Sequence, residues 1–86
     1  MRREAILQRA AGLVSNDRNE QYGDFGEQMC VLAQMASALL GKDLCDRDIA
    51  MILLCLKLKR MTTSEDIDSE TALCGYAALY AEYFKG

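Results

Sequence analysis

The chain has 86 residues, the size of one domain, and 51% of them belong to the hydrophobic set. Its formal charge of −3 offers no basic field to nucleic acid or to an anionic membrane, so neither is expected as a partner. The absence of histidine excludes a histidine-containing zinc site and a Ser-His-Asp triad.

The first two helices are predicted from apolar periodicity and end signals. The first runs over about 3–14. The second begins after Asp24, a good N-cap with Glu27 three residues later in a capping-box pattern. Gly41 is placed to end this helix in a left-handed conformation.

The third helix opens at Cys45 or Asp46. Asp48 lies in its first turn, where the helix dipole favours a carboxylate. Its segment 49–56 is apolar on every face, which is typical of a helix surrounded by its own bundle or by a partner subunit.

The fourth helix is predicted to start with Asp68 or Ser69 as its cap and to run to about Phe84. Gly75 costs about 1 kcal/mol in a helix interior relative to Ala. Because its neighbours are also small, the position favours close approach of another helix.

Together these patterns predict an all-α fold, a small antiparallel four-helix bundle spanning 1–86 as one domain. Such a small domain buries only a thin core and cannot enclose all of its hydrophobic residues. The sequence therefore predicts that the bundle is completed by oligomerisation, as a homodimer or a larger assembly. The four cysteines form no C-x-x-C pair, which favours reduced thiols and a cytoplasmic location.

The stretch DRNEQYGDF, residues 17–25, is the first candidate site. The Arg18 guanidinium can bind a phosphate or a carboxylate through a bidentate pair of hydrogen bonds. Tyr22 can bury its ring and keep its hydroxyl at a polar edge, while Gly23 supplies positive φ before the cap. The alternative is a turn, a cap and an aromatic plug with no ligand.

The K-L-K-R segment that ends the third helix is the second candidate. Lys57 follows Ile49 and Leu53 on one apolar stripe and must extend outward or find an acid. Arg60 lies three residues further along that face. The pair either binds phosphate or complements the helix dipole and forms internal salt bridges.

An acidic run, Glu65, Asp66, Asp68 and Glu70, is the third candidate. Magnesium takes oxygen ligands, usually one or two carboxylates together with substrate phosphate. The alternative is a capped, solvated connector between two helices.

In order along the chain, several motifs resemble one small family of all-helical proteins from bacteriophages and prophages with no settled function. They are R-x-x-x-Y-G at 18–23, Glu27, A-S-A-L-L-G, D-I-A-M-I-L-L-C-L-K-L-K-R and G-Y-A-A-L. The resemblance covers about 5–84. That family in turn resembles the MazG-type pyrophosphohydrolases, helical magnesium-dependent oligomers that convert nucleoside triphosphates to monophosphate and pyrophosphate.

The resemblance implies roles for particular residues. Glu27 and Asp48 correspond to metal-binding acids, and Lys57 and Arg60 to a basic pair. An acid is expected three residues before the glycine of G-Y-A, but Ala72 occupies that position and cannot bind a metal.

The sequence therefore predicts a phage-type protein that binds a nucleotide or another phosphorylated ligand on a degenerate MazG-like scaffold, without efficient turnover. Its setting is the cytoplasm of a phage-infected or lysogenic host. One alternative is an active Mg²⁺-dependent nucleoside triphosphate pyrophosphohydrolase, and another is an interaction module with no small ligand. The predicted ligand-binding residues are Arg18, Tyr22, Lys57 and Arg60, and the predicted metal ligands are Glu27, Asp48 and Asp68.

Overall fold

A computed structural model describes residues 1–15 and 24–86 of the chain. These ranges contain four α-helices and no strand, which confirms the predicted all-α class. The helices are α1 (Arg3–Leu13), α2 (Phe25–Leu40), α3 (Asp46–Thr63) and α4 (Asp68–Lys85). No helix in the described ranges combines the length and apolarity needed to cross a lipid bilayer.

The two ends of α2 follow the predicted local chemistry. The Asp24 carboxylate accepts hydrogen bonds from the backbone N–H groups of Gly26 at 3.1 Å and Glu27 at 3.3 Å. These bonds satisfy two of the donors that every helix start leaves free. At the other end Gly41 has φ 64° and closes the helix in the left-handed region, as predicted.

The starts of α3 and α4 differ in how they are capped. Cys45 precedes α3, and its backbone N–H donates to Asp48 Oδ2 at 3.0 Å. For α4, the prediction that Asp68 or Ser69 is the cap was wrong. Asp68 is the first helical residue, and its N–H donates to Asp66 Oδ1 at 3.0 Å.

The core lies where α2, α3 and α4 meet. Its buried members come from α2 and α3, and aromatic and aliphatic side chains of α4 cover it. The buried residues are Phe25, Met29, Ala33, Ile49 and Ala50, and the covering residues of α4 are Tyr76, Leu79, Tyr80 and Phe84.

Helices α3 and α4 run antiparallel to each other. At one end, the Arg47 guanidinium lies 5.1 Å from the ring centroid of Phe84, near the end of α4. Ten residues further along α3, Lys57 Nζ lies 5.6 Å from the ring centroid of Tyr76. The short connector 64–67 joins the two helices and leaves their N-termini at opposite ends of this hairpin.

Helix α1 packs against α4. Ala10 and Gly75 are buried at this contact. A Cβ on Gly75 would lie 3.0 Å from Val14 Cγ1 and 3.4 Å from the carbonyl oxygen of Ala10. The close approach predicted at Gly75 is therefore present, and α1 is the helix that makes it.

Candidate functional site

A groove of about 400 Å³ opens where the end of α3 meets the start of α4. It brings together two cations, three hydroxyl groups and two carboxylates. Its lining residues are Lys57, Arg60, Thr63, Ser64, Asp66, Asp68, Ser69 and Ala72. We call this site the α3–α4 groove.

Lys57 and Arg60 place two positive charges in this groove from one face of α3, since residues three apart are neighbours on a helix. Lys57 is half-buried, and its ammonium group lies over the ring of Tyr76. Arg60 is exposed. Among the described residues, neither side chain forms an ion pair with a carboxylate. Their charges are thus available to an anion.

Hydroxyl groups and a helix end add to the anion-binding character of the groove. Ser64 caps the C-terminus of α3, and Ser69 is a buried residue of the first turn of α4. Both side chains can donate a hydrogen bond to a phosphate oxygen. The N-terminal end of α4 also carries the positive pole of that helix, which favours an anion nearby.

The two carboxylates of the groove already have partners. Asp66 accepts the backbone N–H of Asp68, as described above. Asp68 Oδ1 accepts a hydrogen bond from Arg9 Nη2 at 3.1 Å. In this ion pair the Arg9 side chain is 50% exposed and the Asp68 side chain is 70% exposed. Arg9 therefore partly balances the negative charge that Asp68 brings to the rim.

The three predicted metal ligands occupy different parts of the molecule. Glu27 is exposed in the first turn of α2. Asp48 and Asp68 lie at opposite ends of the α3–α4 hairpin, because each belongs to the first turn of its helix. Across the described ranges, no three Cys, Asp or Glu side chains are grouped so that they could hold a metal ion.

Asp48 has a structural partner at its own end of the hairpin. The hydrogen bond from the backbone N–H of Cys45, with a further contribution from the Cys45 side chain, holds the pKa of the Asp48 carboxyl below 3.8. A carboxylate that accepts a backbone N–H is favoured in its charged form. This bond caps α3, so the carboxylate acts as a capping group in the isolated chain.

Arg18 and Tyr22 lie outside the described residues. Their predicted convergence with Lys57 and Arg60 stays a prediction. What the fold does bring together is the basic pair, Asp68 and Ala72, all of which line the α3–α4 groove.

A polar cluster that the sequence analysis missed lies at the other end of the hairpin. The Tyr83 hydroxyl donates to Asp46 Oδ2 at 3.4 Å and lies 3.9 Å from Cys30 Sγ. The hydrogen bond and charge of Cys30, followed by burial and then by the charge and hydrogen bond of Asp46, raise the pKa of Tyr83 above 10.0. The three members of the cluster are 16 to 53 residues apart in the chain, so no local motif indicated it.

Comparison with known proteins gives matches over nearly the whole chain. A family model described as "Domain of unknown function (DUF6378)" matches residues 5–84. The chain is also 33% identical over 88 residues to the Gene 55 protein of Mycobacterium phage D29. The alignment covers 96% of this chain and 58% of the phage protein, so the chain spans little more than half the length of that relative. No solved structure matches significantly.

Proposed function

We propose, from the premise that this chain belongs to the DUF6378 family of unknown function, that it binds a phosphorylated small ligand in the α3–α4 groove. The observation that carries the proposal is the shared groove of Lys57 and Arg60, in which neither cation has a carboxylate partner among the described residues. The phage relative suggests the setting, the cytoplasm of a phage-infected or lysogenic bacterium.

Two positive charges a helical turn apart suit the oxygens of a phosphate chain. The Arg60 guanidinium can form a two-pronged contact with one phosphate, and Lys57 can act as a point charge on the same or the next one. At about 400 Å³ the groove lies within the usual size range of small-ligand sites, roughly 300–1,000 Å³. It therefore has room for more than a single inorganic phosphate.

The carboxylates that line the groove favour a nucleotide over a simple polyphosphate. Asp66 and Asp68 repel bare phosphate, but carboxylate oxygens accept hydrogen bonds from sugar hydroxyls. A ligand with an anionic end near Lys57 and a hydroxyl-bearing end near Asp66 would interact favourably with both the cations and the carboxylates. Alternatively, Mg²⁺ bound to the phosphates would balance the two carboxylates.

Binding without efficient turnover is the favoured form of this proposal. Ala72 lines the groove at the position where the MazG-type resemblance implies a carboxylate. A methyl group cannot hold a metal or activate water, so hydrolysis would depend on Asp66 and Asp68 alone.

A thermal-unfolding titration tests the binding proposal. Nucleoside mono-, di- and triphosphates, pyrophosphate and phosphate are added with and without Mg²⁺. A ligand at about tenfold its Kd adds about 1.4 kcal/mol of stability, which raises the Tm of a domain this size by roughly 6–11 °C. Inorganic pyrophosphate release, measured in the same mixtures, tests the active-enzyme alternative.

Charge-removal variants connect the result to the groove. Lys57→Gln with Arg60→Gln should abolish the ligand-dependent rise in Tm. Lys59→Gln is the matched control, because Lys59 belongs to the same helix but does not line the groove. If every ligand leaves the Tm unchanged, or if Lys59→Gln has the same effect as the double variant, the proposal fails.

A second candidate function is protein interaction, including self-association. It is favoured by large apolar side chains that the chain leaves exposed on α3, among them Met51, Ile52 and Leu58. The sequence predicted a helix surrounded by its own bundle or by a partner subunit, and within one subunit these side chains are 46–56% exposed. An interaction role alone predicts a specific assembly and no response to any phosphorylated ligand.

A further inference from the structure

The exposed side of α2 carries a stripe of large apolar side chains. Val31, Leu32, Met35 and Leu39 are all exposed, and Leu39 reaches 82%. Their spacing places them on one side of the helix. This set, the α2 stripe, is also electrically neutral, because no charged residue occurs between Gln28 and Gly41.

A second set of exposed apolar side chains lies on α3, which packs directly against α2. It consists of Met51, Ile52, Leu56 and Leu58. From the exposed fractions, the two sets together present on the order of 700 Å² to solvent. The largest apolar patch on a typical monomer is about 300–600 Å², and a standard interface buries about 800 Å² per partner. The α2 stripe supplies on the order of 400 Å² of this area, so a pair centred on α2 approaches the standard size when the α3 set joins the contact.

We propose that the α2 stripe docks onto the α2 stripe of a second copy of this chain, in a two-fold antiparallel pair centred on Met35. A two-fold contact requires a surface that is complementary to itself. Val31 and Leu39 lie four residues on either side of Met35, so each would face the other across the axis. Leu32 and Ala38 lie three residues on either side, which places a large side chain against a small one.

The charge distribution permits a second copy at this face. The chain carries a net charge of −3, so most surfaces of two copies repel each other. The α2 stripe adds nothing to this repulsion, because the fourteen residues from 28 to 41, which include it, carry no charge. In an antiparallel pair, the positive pole of each helix dipole also lies beside the negative pole of the other, which is a favourable interaction.

The thin core of the single chain gives an independent reason for this second interface. Six apolar residues are buried in the described ranges, and three of them are alanines. Such a core provides little hydrophobic stabilisation for a domain of this size. Burying the α2 stripe would add a second apolar layer that shares α2 with the first.

Sedimentation velocity of the full chain, without ligand, over a wide concentration range tests the proposal. The wild type should form a dimer, and Met35→Glu should weaken it by about a hundredfold or more, because two like charges would be buried at the axis. Leu7→Glu is the matched control. Leu7 lies on α1 and is 58% exposed, against 55% for Met35. It should leave the dimer intact.

Cross-linking provides a second test that does not depend on the fold of Met35→Glu. In a variant with Ser at all four native cysteines, Met35→Cys should form a disulfide-linked dimer on mild oxidation. Gln34→Cys is the control, since it points about 100° away around the helix. A monomeric wild type, a Met35→Glu dimer as tight as the wild type, or equal cross-linking at both positions would overturn the proposal. None of these outcomes bears on ligand binding in the α3–α4 groove.

Discussion

Replacing Gly26 with Ala tests the packing of α2 against the end of α4. Gly26 is buried, and a Cβ there would overlap the ring of Tyr83, with Cζ at 2.6 Å and Cδ2 at 2.8 Å. Tyr83 is 45% exposed, so its ring can move aside, but this breaks its edge-on contacts with Phe25 at 6.3 Å and Phe84 at 4.8 Å between centroids. Losing two such aromatic pairs costs about 1–3 kcal/mol in total.

Helix propensity acts in the opposite direction, since Ala is favoured over Gly by up to about 1 kcal/mol. With about 2 kcal/mol for the lost aromatic pairs and up to about 1 kcal/mol regained, the net loss for Gly26→Ala is about 1–2 kcal/mol, or a fall in Tm of roughly 4–16 °C. Urea unfolding at fixed protein concentration measures it. Gly12→Ala is the control, because nothing lies within 4 Å of a Cβ there, and it should stabilise the protein slightly.

The decisive comparison repeats Gly26→Ala in a Tyr83→Ala background. Without the ring the overlap disappears, so the same substitution should become neutral or stabilising. If it destabilises both backgrounds equally, the ring contact is not the cause and the packing argument is refuted.

Three further predictions concern single side chains. Asp48→Asn should destabilise α3 above about pH 4. Because the pKa of Asp48 is lowered in the folded state, its carboxylate stabilises the fold at a pH above the pKa of the unfolded state. This stabilisation is lost as the pH falls through the pKa of the folded state, so the unfolding free energies of wild type and variant should converge in acid. Ala72→Glu should weaken phosphate-ligand binding without Mg²⁺, because it adds a negative charge to the α3–α4 groove; unchanged affinity by calorimetry would contradict this. Cys30→Ser should lower the raised pKa of Tyr83, measured by ultraviolet titration with Tyr83→Phe to assign the signal, whereas no change would show that Cys30 is not the cause.

Features set by neighbouring residues could be predicted from the sequence. Asp24 and Gly41 mark the ends of α2, because caps depend on local side chains and on local φ. The positions of Lys57 and Arg60 followed from the 3.6-residue period alone. Lys57 was predicted to extend outward or to find an acid, but its side chain is half-buried and its ammonium group lies over the ring of Tyr76.

Features that join distant segments could not be predicted in the same way. Glu27 and Asp48 were named as metal ligands from the family resemblance and Asp68 from the acidic run, but an antiparallel hairpin places the first turns of α3 and α4 at opposite ends. The contact of Gly26 with Tyr83 joins the start of one helix to the end of another, and neither residue carries a local signal for it.

The one-sided attachment of α1 has a consequence for the order in which the protein opens. Its contacts run to α4 through Ala10, Gly75 and the exposed Arg9–Asp68 pair, whereas the other three helices share the main core. Few buried apolar contacts mean a low free energy of local opening. Backbone amides of α1 should therefore exchange with deuterium before those of α2 to α4, as a separate cooperative unit that can detach while the remaining helices stay folded.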